Sequence, residues 1–180
     1  MVSATPTTAP ASGKTAGAVR LSGLPPIIGA DARVLVLGSF PSAASLAAGQ
    51  YYAHPRNQFW RLLGDVLGEG LAGASYQARL ERVVAHRIAL FDTIVGCARN
   101  GSLDAAIREP ELARIDVVAD RAPMLRLAAF NGAHAARALP TWAARGYVTL
   151  LLPSSSAAHT LAYGSKLARW RALSGWIAQR

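Results

Sequence analysis

Arg33-Val-Leu-Val-Leu-Gly-Ser-Phe-Pro-Ser42 is the stretch on which the fold turns. Four apolar residues in succession, Val34–Leu37, with no polar alternation, read as a strand buried on both faces. Gly38 ends it, where a backbone without Cβ can approach a ligand closely, and Pro41 stiffens the turn that follows. The loop has no Walker lysine and no Gly-x-Gly-x-x-Gly pattern. It therefore reads either as a plain strand-to-helix turn or as one wall of a ligand site.

Working outward, the same strand pattern recurs three times. After a loop-rich stretch through Asn57, Phe59–Leu67 forms an amphipathic helix with Phe59, Leu62, Leu63, Val66 and Leu67 inward, and Tyr76–His86 forms another. Arg87-Ile-Ala-Leu-Phe91 is a short second strand with Asp92 at its carboxyl end. Ser102 is placed to cap a short helix carrying Leu103, Ala106 and Ile107. Leu125–Phe130 is a third strand broken at Asn131-Gly132, and Tyr147–Leu152 a fourth broken at Pro153 and three serines. A last helix runs from about Ser165 to Ala178. Strands alternating with helices predict an α/β fold: a three-layer α/β/α arrangement around a central, mostly parallel four-stranded sheet. Ligands of such sheets bind beyond the carboxyl ends of the strands, which singles out Gly38–Ser42, Asp92, Asn131-Gly132 and Pro153–Ser156.

The 180 residues suit one domain, expected over residues 24–180 and opening at Leu24-Pro-Pro26. Residues 1–23 are expected to be a disordered tail, since through Val19 they are Ala, Thr, Pro, Ser and Gly with one lysine. Pro6, Pro10 and the threonines argue against a secretory signal there. The net charge is +9, and only Lys14 and Lys166 of the 19 basic residues are lysine. Arginine grips phosphate bidentately and stacks on bases, so the excess suits a polyanion. A GC-rich genome accounts for the choice of arginine but not for the excess. Cys97 is the single cysteine, which excludes an internal disulfide and any multi-cysteine metal or iron–sulfur site. It reads as a small core residue, and a reducing cytoplasm is the expected setting. No run reaches the roughly 20 apolar residues a membrane span needs.

Tyr51-Tyr-Ala-His-Pro-Arg-Asn-Gln-Phe-Trp60 is the most unusual segment. Aromatics stack on bases, and an asparagine amide can read a base edge or hold a water. Phe59 and Trp60 read as core anchors and Asn57 as a helix cap, which is compatible with catalysis because a cap fixes where the amide points. Pro153-Ser-Ser-Ser156 reads as a polar loop or as small hydroxyls gripping a phosphodiester. Asp92 is the carboxylate placed to assist chemistry, unless it caps a turn or pairs with Arg99. Asp104 is expected to stabilise the start of its helix. Asn131 either faces a pocket or makes its turn. His54 is expected to be structural, and His86 and His134 to be ordinary helix residues. His159 could reach DNA.

Strand-Gly38-Ser-Phe-Pro41 followed by Tyr52-Ala-His-Pro-Arg-Asn-Gln-Phe-Trp60 resembles the uracil-DNA glycosylase superfamily. Within it the pattern resembles the hypoxanthine (deoxyinosine) DNA glycosylases most, next to the mismatch-specific uracil enzymes. Arg99-Asn-Gly-Ser-Leu-Asp104, Phe130-Asn-Gly132 and Leu152-Pro-Ser-Ser155 are similar to that branch and occur in the same order. The resemblance implies that Gly38, Ser39, Phe40 and Pro41 floor the base pocket with Tyr52 stacking on the flipped base and Asn131 nearby. It implies that Asn57 is catalytic, and that Arg56, Pro153, Ser154, Ser155, Ser156 and His159 contact DNA. Two positions depart from the uracil enzymes: Phe40 stands where they carry a water-holding asparagine, and Leu152 where the most active carry a histidine. Both departures favour hypoxanthine. Ser42 replaces a glycine usual in the first loop.

The implied reaction is monofunctional hydrolysis of a deaminated base from damaged single- or double-stranded DNA, without metal or cofactor, by a monomer. Asn57 would position water and Asp92 could assist. The alternatives are a uracil enzyme with a non-standard site, a catalytically silent damaged-DNA-binding module, or a protein that binds small nucleotides.

Overall fold

A computed structural model describes residues 20–178. The elements in chain order are β1 (Arg20–Ser22), β2 (Val34–Gly38), α1 (Ala43–Ala48), α2 (Phe59–Leu67), α3 (Tyr76–Ala85), β3 (Ile88–Asp92) and β4 (Ile94–Ala98). There follow β5 (Arg108–Leu112), α4 (Ile115–Arg121), β6 (Leu127–Asn131), α5 (Leu139–Ala144), β7 (Val148–Leu152), α6 (Tyr163–Trp170) and α7 (Ser174–Ile177). Short 3₁₀ turns lie between some of them.

The four expected strands form one parallel sheet in the order β3-β2-β6-β7. The side-chain period of two divides their residues between two cores. Val34, Val36, Ile88, Leu90, Leu127, Ala129 and Leu152 pack under α2, α3 and α6 with Phe59, Leu62, Leu63, Val83 and Trp170. Leu35, Leu37, Ala89, Phe91, Ala128 and Phe130 pack on the other face under α4 and α5, with Ile115, Val118 and Trp142. This is the predicted three-layer arrangement, and β2 lies wholly buried at its centre. Cys97 is buried, in a third cluster with Phe40 and Ile94. Among the described residues no helix is long and apolar enough to cross a membrane.

Three readings of the sequence need correction. A second sheet of three antiparallel strands, β1-β4-β5, has no counterpart in it. Its first strand, Arg20–Ser22, falls inside the stretch expected to be a disordered tail; it pairs with Gly96–Ala98, and Leu21 packs on the Phe40 cluster. Residues 1–19 of that expected tail lie outside the described residues. Ser102 caps no helix of its own: its hydroxyl accepts from the Ala43 N–H, at the first turn of the unanticipated α1. The single C-terminal helix is instead α6, a 3₁₀ turn over Arg171–Leu173, and α7. Trp170 and Leu173 are both fully buried, three residues apart, and a 3₁₀ turn stacks residues at that spacing.

Phe59, wholly buried, is the hub of the first core. It lies flat on Tyr52 with ring centroids 3.6 Å apart and presents its edge to Trp60 and Trp170. Phe59→Ala is expected to cost about 3–5 kcal/mol in urea denaturation. A loss below about 1 kcal/mol would show that this core collapses around the void without harm.

Candidate active site

Gly38 is the last residue of β2 and stands opposite Asp92, the last residue of β3. A methyl group on Gly38 would lie 2.2 Å from Asp92 Oδ1 and 3.2 Å from the Tyr52 hydroxyl. The missing side chain is the space in which those two groups converge. The Thr93 and Ile94 N–H groups donate to the Gly38 and Ser39 carbonyls, at 2.9 and 3.0 Å. That pins the turn as the chain passes from the parallel sheet into β4.

Beyond the carboxyl ends of β2, β3, β6 and β7 opens a pocket of about 370 Å³. It gathers most residues that the sequence singled out: Gly38, Ser39, Phe40, Pro41, Tyr52, Asn57, Asp92, Asn131, Ser154, Ser155, Ser156 and His159 all line it. Arg56 and Pro153 do not. Arg56 is exposed, with its N–H on His54 Nδ1, and Pro153 lies behind the loop, its carbonyl accepting from Trp170 Nε1.

Tyr52 reaches the pocket with a φ of +55°, which L residues adopt rarely and which clusters at functional sites. One face of its ring is taken by Phe59. Its hydroxyl is buried without a hydrogen-bond partner of good geometry, beside the Asn131 amide. Burial, with Asp92 adding to it, holds the phenol well above its ordinary pKa. Asp92 is 4% exposed and its Oδ2 also lacks a partner. Burial first, and the nearby Asp104 second, push the Asp92 carboxyl up to about 7, against the pull of Arg99. Asp104 itself accepts from the Ser39 hydroxyl at 2.6 Å, a contact with the first loop that its helix-start role did not foresee.

The cap position of α2 belongs to Gln58, not to Asn57 as expected; Asn57 stands one residue earlier, its Oδ1 accepting from the Phe59 N–H at 3.0 Å. That bond fixes the amide plane at the pocket wall. Asn131 is tied twice to the serine loop: Nδ2 donates to Ser155 Oγ and Oδ1 accepts from the Ser155 N–H, both at 2.8 Å. Ser155 is fully buried as a result and braces the loop at the pocket wall. Gly132 has a φ of +100°, and a side chain there would strike Ser154 Cβ at 2.9 Å. Ser154 and Ser156 remain half-buried and His159 exposed at the rim.

Two buried cations support the site and were not singled out for it. Arg99 makes no ion pair with Asp92; it donates to the Pro41 carbonyl, with its guanidinium 4.8 Å over the Phe40 ring. Lys166, 1% exposed, donates to Gln58 Oε1 and the His159 carbonyl, both at 2.9 Å, and more weakly to the Ser156 carbonyl at 3.5 Å. With the Gln58 N–H on the Ser155 carbonyl at 2.9 Å, it fastens the Asn57 segment to the serine loop. The signal in the sequence is that Lys166 is one of two lysines in a chain whose other basic residues are arginine. Ser42, the departure in the first loop, caps α1 by accepting from the Ser45 N–H. Among the described residues no cluster of three or more His, Cys, Asp or Glu is placed to hold a metal ion.

Residues 25–176 match the family model of the uracil DNA glycosylase superfamily. A hypoxanthine DNA glycosylase of Methanosarcina barkeri is 38% identical over 152 residues, covering 84% of this chain and 96% of the relative. One from Methanosarcina acetivorans is 36% identical over 151 residues, with the same coverage. The solution NMR structure of a candidate uracil DNA glycosylase from Methanosarcina acetivorans superposes with a TM-score of 0.82 at 34% identity, covering 89% of this chain and all of that one.

Gly38→Ala is expected to lower stability by about 1–3 kcal/mol, because the methyl must displace a buried carboxyl. Gly70→Ala, with no atom within 4 Å of its added methyl, is expected to stay within about 0.5 kcal/mol. Equal urea midpoints for the two variants would show that Asp92 has room to move.

Proposed function

The chain belongs to the uracil DNA glycosylase superfamily, and from that premise we propose that it is a monofunctional DNA glycosylase that hydrolyses a deaminated base, hypoxanthine first, from DNA. The observation that carries this reading is the meeting, at one pocket, of the Gly38–Pro41 loop, the Tyr52–Asn57 segment and the serine loop. Relatives named hypoxanthine DNA glycosylase support the choice of base. So does the chemistry of two positions. Phe40 is packed with Ile94 and Cys97, and Leu152 is fully buried, so neither offers the polar group that the uracil enzymes carry there.

A base inside a duplex must leave the stack before it fits such a pocket, at a cost of a few kcal/mol that is least for a badly paired base. Phosphate contacts by arginines, Arg56 among them, and by Ser154, Ser156 and His159 offset that cost. Tyr52 stacks on the base. Asn57 orients the water: an amide is a poor base, so its contribution is position, and its bond from the Phe59 N–H holds that position. The water oxygen bonds to C1′ of the sugar as the C1′–N bond breaks, and the bonding pair leaves with the base. Backbone N–H groups of the Gly38–Pro41 turn stabilise that negative charge. The water gives up one proton to solvent and the departing base takes one. Lys166, the one lysine among the described residues, is bonded behind the serine loop and does not line the pocket. Among the described residues no amine lines the pocket to open a Schiff-base route to strand cleavage, which supports the monofunctional reading.

Single-turnover incubation with oligonucleotides containing hypoxanthine, uracil or xanthine tests the proposal. Hypoxanthine is expected to be released, leaving alkali-labile sites, and Asn57→Ala is expected to lose about a hundredfold or more in rate while still binding DNA. Release of uracil in its place would keep the family and change the substrate. No release from any substrate, with DNA still bound, would leave a damage-binding module.

A further inference from the structure

Two buried polar atoms at the pocket floor lack partners, the Asp92 Oδ2 and the Tyr52 hydroxyl. Both groups overhang Gly38, where no side chain intervenes. Buried polar groups without partners are few in native proteins and call for a reason. Here the pocket itself supplies the missing partner when a base enters it.

Deamination has a uniform chemical signature. An amino group beside a ring nitrogen becomes a carbonyl beside an N–H, so hypoxanthine, xanthine and uracil share one N–H/C=O edge. An ionised carboxylate offers that edge two acceptors and repels the carbonyl. A neutral carboxylic acid offers a donor and an acceptor in one plane, which complements it. We propose that Asp92 is the specificity-determining residue of this pocket, working as a neutral acid whose O–H donates to the base carbonyl while its C=O accepts from the base N–H. The inference rests on the glycosylase reading above and assigns Asp92 a part different from water activation, for which it would have to be ionised.

The surroundings keep the acid neutral. Tyr51 and Tyr52 face it from the segment before α2, Asp104 from the 3₁₀ turn after β4, and Arg99 from the end of β4. The tyrosines are uncharged, since burial raises both phenols. Burial and Asp104 oppose ionisation, and only Arg99 favours it. Arg99 is turned aside by its bond to the Pro41 carbonyl and by the Phe40 ring. The balance leaves the carboxyl titrating at about 7, so it is protonated below neutrality and lost as a donor above it.

The test is single-turnover excision of hypoxanthine between pH 5.5 and 9, by wild type, Asp92→Asn and Asp92→Ala. Wild type is expected to be level at low pH and to fall about tenfold per unit well above pH 7. Asp92→Ala is expected to lose about a hundredfold at pH 6. An asparagine keeps a donor and an acceptor without titrating. Asp92→Asn should therefore recover most of that loss and show no alkaline fall. An oligonucleotide carrying unsubstituted purine, which has neither the carbonyl nor the N–H, is the control. Asp92→Ala is expected to change its release by less than about threefold. A wild-type rate that is flat or rising from pH 6 to 8.5 overturns the proposal without any variant. So does an Asp92→Asn protein, folded by circular dichroism, that is as slow as Asp92→Ala. A wild type that releases no base at any pH overturns the glycosylase reading and this one with it, whereas the other failures leave that reading standing.

Discussion

The absence of a side chain at Gly38 is the constraint on which the pocket depends. β2 is wholly buried and paired on both edges in parallel, with β6 as far as Leu37 and with β3 to Gly38 itself. A strand fixed so firmly could end in any residue and still serve the fold. Only glycine leaves the volume into which the Asp92 carboxyl and the Tyr52 hydroxyl both lean. Packing and chain direction keep those two groups where they are. The Phe59 ring under Tyr52 holds one, and the passage of β3 directly into β4 through Thr93 holds the other.

The walls are held by bonds between segments far apart in sequence. Asn131 locks Ser155, Gln58 takes the Ser155 carbonyl, and Lys166 gathers Gln58 and the loop carbonyls. These bonds tie β6, α2, α6 and the loop after β7 into one body. A buried lysine with no carboxylate partner is costly to desolvate. Three carbonyl acceptors answer it, and burial still lowers its pKa. A hydrophobic residue could have filled the same volume at less cost. What the ammonium adds is direction: it can draw two backbone carbonyls and a side-chain amide toward one point, and a methyl cannot.

Much of this was legible in the sequence, and what was missed has a common cause. The parallel sheet and α2 follow from local pattern: apolar runs of strand length and period 3.6. The gathering of Gly38, Asp92, Asn131 and the serines follows from the rule that strand carboxyl ends face one crevice. The second sheet was missed although β4, Ile94–Ala98, is an apolar run of strand length, because its two partners carry no such pattern. Arg108-Glu-Pro-Glu-Leu112 is exposed along its whole length, and Arg20-Leu-Ser22 is extended only because Gly96–Ala98 lies beside it. Ser102 was misread and Lys166 passed over for the same reason. Ser102 finds its partner 59 residues away and Lys166 its side-chain partner 108 away, and no neighbour in the sequence announces either.

The site is also where the molecule departs from what stability alone would select. An unpartnered buried polar atom costs about 1–3 kcal/mol. The acid has a further effect that depends on pH. The Asp92 carboxyl is raised in the folded chain, so between its ordinary range and about 7 the folded state holds a proton that the unfolded state releases. Over that window stability falls as pH rises. An asparagine at 92 would remove the penalty and keep the hydrogen-bonding pattern, and a leucine would remove the unsatisfied atoms altogether. The aromatic cluster of Tyr52, Phe59, Trp60 and Trp170, packed directly beneath, is large enough for the fold to carry such a group. A pocket that holds its polar groups unsatisfied until a base arrives is preorganised: the desolvation has been met during folding, and the hydrogen bonds formed on binding are net gains to the complex.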